Sequence, residues 1–192
     1  MTNGKFIFKH AAILFVIAFV CSLILILCNN MTYGRIAALQ KQSEEDAKSA
    51  VLPAAQKFED ADSKQLSDDT IIAAYRGCDS NGKTVGYCFK AEPSGFGGKI
   101  SMIIGIDKDG NVSGVRITDM SETPGLGAKA NDESWISQFV GKSGEISVVK
   151  TGNAKKSEIN AISGATITSK AVTSGVNSAL AGAKILAQKE GK

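Results

Sequence analysis

The stretch Ile100-Ser101-Met102-Ile103-Ile104-Gly105-Ile106-Asp107, continued by Lys108-Asp109-Gly110-Asn111 and Val112-Ser113-Gly114-Val115-Arg116-Ile117-Thr118, decides the fold. Its first part is a short apolar run rich in β-branched residues, which reads as a strand. Asp109-Gly110 supplies a hairpin turn. Val115 and Ile117 then share one face of a returning strand. Toward the N-terminus, residues 71–75 and 84–90 read as a second pair of strands around Asn81-Gly82. Toward the C-terminus, Asp132 is placed to cap a short helix that runs through Trp135 and Phe139 and stops at Gly141. Residues 145–150 and 159–162 read as short strands. From Ile167 or Thr168 to Lys189 the pattern is helical, with Val172, Val176, Leu180 and Ile185 near one face. Hairpins with helices at the ends imply an α+β fold with an antiparallel sheet and a long C-terminal helix.

Ahead of the sheet lies the uncharged run from Ala11 to Cys28, AAILFVIAFVCSLILILC. At ~1.5 Å per residue it reaches roughly 27 Å, close to the ~30 Å hydrocarbon core of a bilayer. Phe6, Ile7 and Phe8 can extend it. Three readings stand: an uncleaved transmembrane anchor, a cleaved signal peptide, and a lipoprotein acylated at Cys28. Length favours the anchor, since a signal peptide has a shorter apolar stretch and small residues at its exit. Here Leu27 precedes Cys28, and Asn29-Asn30 follow. Lys5 and Lys9 precede the run, while Arg35 and Lys41 follow at greater distance. That asymmetry favours a cytoplasmic N-terminus and a domain on the extracytoplasmic side of the cell membrane. Residues 33–52 read as a helical stalk ended by Pro53, and 54–70 as a loop with a short helix.

The chain has 22 basic and 19 acidic residues, a net charge of +3, and no basic block. Nucleic acid is therefore not an expected partner. Beyond the apolar run about 160 residues remain, enough for one domain with its own core. His10 is the single histidine and sits at the edge of the apolar run, so histidine catalysis and a histidine metal site in the domain are excluded. The four cysteines show no metal spacing. Cys21 and Cys28 read as small packing residues. Cys78 and Cys88 flank residues 79–83, and a disulfide between them requires a loop longer than two residues, because a two-residue turn sets Cys78 opposite Val85. Bridged and free thiols both stay open. No metal site is expected. No GxGxxG motif and no iron–sulfur cysteine pattern occur, so NAD and clusters would belong to partners.

The chemistry concentrates in Asn160-Ala161-Ile162-Ser163-Gly164-Ala165-Thr166-Ile167-Thr168-Ser169-Lys170. A strand runs into a small-residue turn, and a helix begins at once. The first N–H groups of a helix lack internal partners and lie at its positive end, a natural place for a phosphate. Gly164 and Ala165 allow close backbone approach, and Thr166, Thr168 and Ser169 crowd hydroxyls there. Two readings compete: a helix start capped by Thr or Ser, and an anion site.

Ser163-Gly164-Ala165-Thr166 resembles the S/T-G-A-T signature of the FMN-binding domain family, in which the flavin's phosphate esterifies the final threonine. Glu122-Thr123-Pro124-Gly125-Leu126-Gly127 resembles the family's ETPGLG segment. Ser94-Gly95-Phe96-Gly97-Gly98-Lys99-Ile100 resembles its G-Y-G-G entry to the central strand, with Phe96 where tyrosine is common. The motifs fall in family order over residues 89–173. Together these readings give a cytoplasmic N-terminus at 1–10, an anchor at 11–30 and a helical stalk and connector at 31–70, and the resemblance implies an FMN-binding domain at 71–192. It implies one covalent FMN on Thr166, with Ser163, Gly164, Ala165, Thr168, Ser169, Glu122, Thr123, Gly125 and Leu126 as further cofactor-binding residues. Thr166 would be an attachment point, no residue a catalytic group, and a flavin transferase would be needed for maturation.

Within the family, the chain is similar to the G subunit of Rnf-type complexes and to the C subunit of sodium-pumping NADH:quinone oxidoreductases. Its compact size and ISGATITSKAV run are more like the former. The implied role is an electron relay in a membrane complex that couples ferredoxin:NAD+ electron transfer to Na+ or H+ translocation. It would work with other membrane and peripheral subunits and have no complete activity alone. A sensory FMN-binding membrane protein and a non-redox binding module on a stalk are the alternatives from other classes.

Overall fold

The computed structural model describes residues 4–62, 66, 68–150, 152 and 154–190. One helix, α1 (Gly4–Val51), carries both the apolar run and the stretch expected as a separate stalk. Asn29 and Asn30 do not interrupt it. Thr32 donates its hydroxyl to the Cys28 carbonyl at 2.7 Å, the back-bond by which threonine is accommodated inside a helix. Pro53 disfavours the helical conformation at Leu52, and α1 ends at Val51. The described residues fall into two compact units, 1–42 and 43–192. In the first, α1 turns large apolar side chains outward from Ile7 to Leu39 and is long and apolar enough to cross a membrane.

The second unit is built on a five-stranded antiparallel sheet in the order β1-β2-β3-β4-β5. Its strands are β1 (Lys57–Ala61), β2 (Ile71–Cys78), β3 (Thr84–Ala91), β4 (Ile100–Asp107) and β5 (Val112–Met120). The β4–β5 turn closes as the sequence implies. Asp107 N donates to Asn111 O at 2.9 Å, the Asp107 carboxylate accepts from the Asp109 and Asn111 amides, and Gly110 takes a φ of +79°. β4 is apolar on both faces because both are covered. Met102, Ile104 and Ile106 face the main core with Phe89, Val172, Val176 and Leu180 of the long helix α3 (Thr166–Glu190). Ile103 faces a second cluster with Cys88, Ala47, Val51 and Leu52 at the end of α1.

That second cluster rests on a row of glycines. Gly77 pairs with Gly86, and Gly105 with Gly114, across adjacent strands. A Cβ at Gly105 or Gly114 would run into Val51, one at Gly77 into Leu52, and one at Gly86 into the Ile106 carbonyl and then Leu52. The bare backbone thus forms a trough that admits the last turn of α1. Carbonyls at a helix end lack internal donors. Here Ser113 Oγ donates to Val51 O at 2.5 Å, and the Cys88 thiol approaches Lys48 O at 4.0 Å. Lys48 is almost fully buried, with Nζ 4.0 Å from the Tyr75 ring centroid and 2.7 Å from Glu45 Oε1. Glu44 accepts from Tyr75 at 3.0 Å and from Lys90 at 2.7 Å. Burial works against the Glu44 charge, but the Lys90 and Tyr75 hydrogen bonds outweigh it and hold the carboxyl below its usual range.

Several expectations change. β1 lies in the segment read as a loop with a short helix; 63–65 and 67 of that segment fall outside the described residues. β6 (Ser147–Val149) and β7 (Glu158–Asn160) form a separate parallel pair, whereas only antiparallel pairing was expected. The expected short helix is α2 (Glu133–Ile136) followed by a 3-10 turn at Ser137–Phe139, preceded by a further 3-10 turn at Gly127–Asn131, and Asp132 stands at the N-cap of α2 without a side-chain cap bond. Cys78 and Cys88 are free and buried, opposite Thr84 and Tyr75 respectively.

Candidate functional site

The start of α3 is the centre of the site. Ala165 immediately precedes the helix and its carbonyl accepts the first intrahelical bond, from Ser169 N at 3.0 Å. Ala165 is therefore the N-cap, and it has no side-chain acceptor. The Thr-or-Ser cap expected as one reading is not what the chain uses. No cap side chain at that position competes for the N–H groups of Thr166, Ile167 and Thr168. The turn before it is held by Ala165 N donating to Ile162 O at 3.0 Å and by Gly164 in the left-handed region, φ +77°. Ser169 locks that turn from beneath. Its buried hydroxyl accepts from Ile162 N at 3.0 Å and donates to Ala165 O at 2.9 Å.

Glu122, 8% exposed, joins three segments. Its Oε1 accepts from the amides of Phe96 at 2.8 Å and Gly97 at 3.1 Å. Its Oε2 accepts from Thr168 Oγ1 at 2.9 Å. Space for the carboxylate comes from glycines: a Cβ at Gly95 would strike Glu122 Oε1, and a Cβ at Gly127 would strike Oε2 and Thr168 Oγ1. The Pro124-Gly125 bend is closed by the Leu126 and Ala128 amides, both donating to Thr123 O at 3.2 Å.

Around these anchors opens a cleft of about 390 Å³ lined by Phe96, Glu122, Thr123, Leu126, Gly127, Gly164, Ala165, Thr166, Ile167 and Thr168. Its rim carries exposed apolar side chains from three segments: Phe96, Leu126 and Ile167. Of the residues singled out in the sequence, Glu122, Thr123, Leu126, Gly164, Ala165, Thr166 and Thr168 line this cleft. Ser163 and Gly125 are exposed neighbours outside the lining, and Ser169 lies behind it. Phe96, Gly127 and Ile167 complete the wall; they lie in the quoted motifs but were not among the expected cofactor-binding residues. Spacing alone carries no signal for Phe96, since it reaches the cleft through a contact with Glu122 formed 26 positions away.

Fold and cleft together define an FMN-binding domain carried behind an apolar helix. Residues 95–181 match the family model described as the FMN-binding domain. The G subunit of the Na(+)-translocating ferredoxin:NAD(+) oxidoreductase complex of Acetobacterium woodii is 42% identical over 91% of this chain and 90% of its own length. The G subunit of the proton-translocating ferredoxin:NAD(+) oxidoreductase complex of Clostridium ljungdahlii is 33% identical over 91% and 90%. The crystal structure of the C subunit of the Na(+)-translocating NADH-quinone reductase of Parabacteroides distasonis superposes with a TM-score of 0.50 at 27% identity, over 60% of this chain and 62% of that one. The chain belongs to the family of G subunits of ion-translocating oxidoreductase complexes.

The residues fit FMN. The cleft volume is in the ~300–1,000 Å³ range of ligand sites. Apolar walls at Phe96, Leu126 and Ile167 suit a flat ring, and the uncapped start of α3 suits a phosphate. Thr166 supplies a half-buried hydroxyl between the two.

Proposed function

We propose that this chain is an electron relay carrying one FMN, esterified through its phosphate to Thr166, in an Rnf-type membrane complex that couples ferredoxin:NAD+ electron transfer to Na+ or H+ translocation. The observation that carries the reading is the position of Thr166: it is the first residue of α3, it lines the cleft, and the cap before it is an alanine. A flavin transferase, as maturation partner, would bring an activated flavin phosphate. The Thr166 hydroxyl loses its proton and bonds to phosphorus, and the activating group departs. The product diester carries about one negative charge in place of the ~1.5–2 of a free phosphate monoester, and the open N–H groups of α3 meet it.

FMN, when bound, supplies one-electron chemistry. The chain's own residues do the rest. Phe96, Leu126 and Ile167 shield the ring from water, and Gly164 lets the backbone come close. Ser163, Gly125 and Thr123 shape the loops beside it, and Thr168 and Ser169 hold the helix start. A tether keeps the group at high effective concentration on the extracytoplasmic side, where free FMN would be lost. That sidedness rests on Lys5 and Lys9 ahead of the apolar run, and the single pass on α1. The other membrane and peripheral subunits of the complex would supply NAD and cluster chemistry. The ions in the relatives' names differ, Na(+) in one and proton in another, so family membership leaves both coupling ions in the proposal. A C-type subunit of a sodium-pumping NADH:quinone oxidoreductase is the second reading, favoured by the shared domain fold. The G-subunit relatives match a larger share of the chain, 91% against 60%.

Co-expression with a flavin transferase tests the reading. The native chain should fluoresce as a flavoprotein in a denaturing gel, and Thr166→Ala should not. Covalent flavin persisting in Thr166→Ala would sink the assignment. Protease access in oriented vesicles reports sidedness.

A further inference from the structure

Glu122 is placed too far into the protein framework to act as a simple ligand. All three of its hydrogen bonds go to the chain itself: the Phe96 and Gly97 amides on one oxygen, the Thr168 hydroxyl on the other. These donors belong to the segments that wall the cleft. The glycines at 95 and 127 are explained by the carboxylate, since a Cβ at either position would overlap it. No lysine or arginine is paired with Glu122 among the described ion pairs. Among the described residues its carboxylate accepts from neutral donors, on the wall of the cleft.

We infer that Glu122 is a positioning residue that holds the Phe96 loop and the start of α3 in register, and that its negative charge opposes electron gain by the flavin. This rests on the flavin reading above. A buried carboxylate with hydrogen bonds but no counter-cation keeps much of its field, because low-dielectric surroundings screen it poorly. Adding an electron to the cleft then places like charges near one another. The geometric and electrostatic roles separate by substitution. In Glu122→Gln the amide oxygen still accepts from Phe96 and Gly97, and the side-chain NH2 can donate to Thr168 Oγ1, so the register survives without the charge. In Glu122→Ala both are lost.

The full chain in detergent, matured with a flavin transferase, is compared as native, Glu122→Gln and Glu122→Ala. Flavin-free protein is made without the transferase. In the flavin-free protein, amide exchange at Phe96 and Gly97 should rise at least about tenfold in Glu122→Ala and stay near native in Glu122→Gln. Covalent flavin per chain should be native in Glu122→Gln and largely lost in Glu122→Ala. The flavin midpoint potential of Glu122→Gln should move positive by at least about 59 mV, a tenfold change in a one-electron equilibrium constant. Unchanged exchange in Glu122→Ala, or an unmoved potential in Glu122→Gln, overturns the inference. Failure of the flavin reading itself would show separately, as covalent flavin retained in Thr166→Ala.

Discussion

Gly77 and Leu52 offer a direct measure of how tightly the end of α1 is seated on the sheet. A Cβ built at Gly77 lies 2.5 Å from Leu52 Cδ2 and 3.0 Å from the Ala55 Cβ, both side-chain atoms. Gly77→Ala should therefore destabilise by about 1–3 kcal/mol through overpacking, less the ~0.5–1 kcal/mol by which alanine outdoes glycine within a strand. Leu52, 2% exposed, should cost about 2–5 kcal/mol on truncation to alanine. With Leu52 shortened, the severe overlap at position 77 is relieved and only the 3.0 Å approach to the Ala55 Cβ remains. Gly77→Ala then becomes close to neutral, so the double variant is more stable than the sum of singles by about 1–3 kcal/mol. The assay is urea unfolding of the full chain in detergent micelles. Trp135, the only tryptophan and 8% exposed, reports on the core of the second unit. With a urea slope of about 1–3 kcal/mol per molar, the coupling displaces the midpoint by roughly 1 M from additivity. Additivity within ~0.5 kcal/mol would refute the reasoning and mean that Leu52 does not fill the space above Gly77.

Ser169→Ala removes the side-chain acceptor of the Ile162 amide and should destabilise by about 1–3 kcal/mol. Because it loosens the turn ahead of Thr166, it should also slow covalent flavin attachment although Ser169 does not line the cleft; denaturing-gel fluorescence against transferase time reads both the rate and its absence of change. Cys88 supplies the pH-dependent test. Burial, opposed by the pull of Lys48, pushes its thiol from 9.0 up to about 12. A raised folded-state pKa gives stability that is whole below 9 and lost as pH climbs toward 12, since the unfolded thiol ionises first. Urea midpoints from about pH 8 to 11 should fall more steeply in the native chain than in Cys88→Ala, and parallel curves would contradict the assignment.

The β4–β5 hairpin was legible because a doubly buried apolar run, an Asp-Gly turn and a returning alternation are all local signals. Ile100–Asp107 matches the expectation at both ends, and β5 runs on to Met120 because its pairing with β4 continues to Ile100. The helix at the C-terminus was legible for the same reason, starting one or two residues earlier than expected, at Thr166. β1 was not: in Lys57-Phe58-Glu59-Asp60-Ala61 charged residues alternate little with apolar ones, and only its pairing with β2 makes it a strand. β6 and β7 overlap the stretches 145–150 and 159–162 that read as short strands, but strands of three residues carry no signal of which partner they take or in which direction. In the site, the hydroxyl cluster at 163–169 could be read, but not the division of labour within it. Burial and hydrogen bonding turn Thr168 and Ser169 inward and leave Thr166 at the cleft, and those depend on Glu122 and Ile162 arriving from elsewhere in the fold.

The glycine trough beneath Val51 and Leu52 bears on where the protein can be cut. A fragment that starts at Pro53 would retain every strand yet lose the plug for Gly77, Gly86, Gly105 and Gly114, and would bare Ile103 and Cys88, both 0% exposed in the whole chain. An uncovered apolar furrow across four strands invites self-association. A fragment that starts at Ser43 keeps the plug, with Lys48 and Glu44 in their bonds to Glu45, Lys90 and Tyr75. The excision point that keeps the sheet covered therefore lies inside a helix, ten residues ahead of the proline that looks like the natural seam.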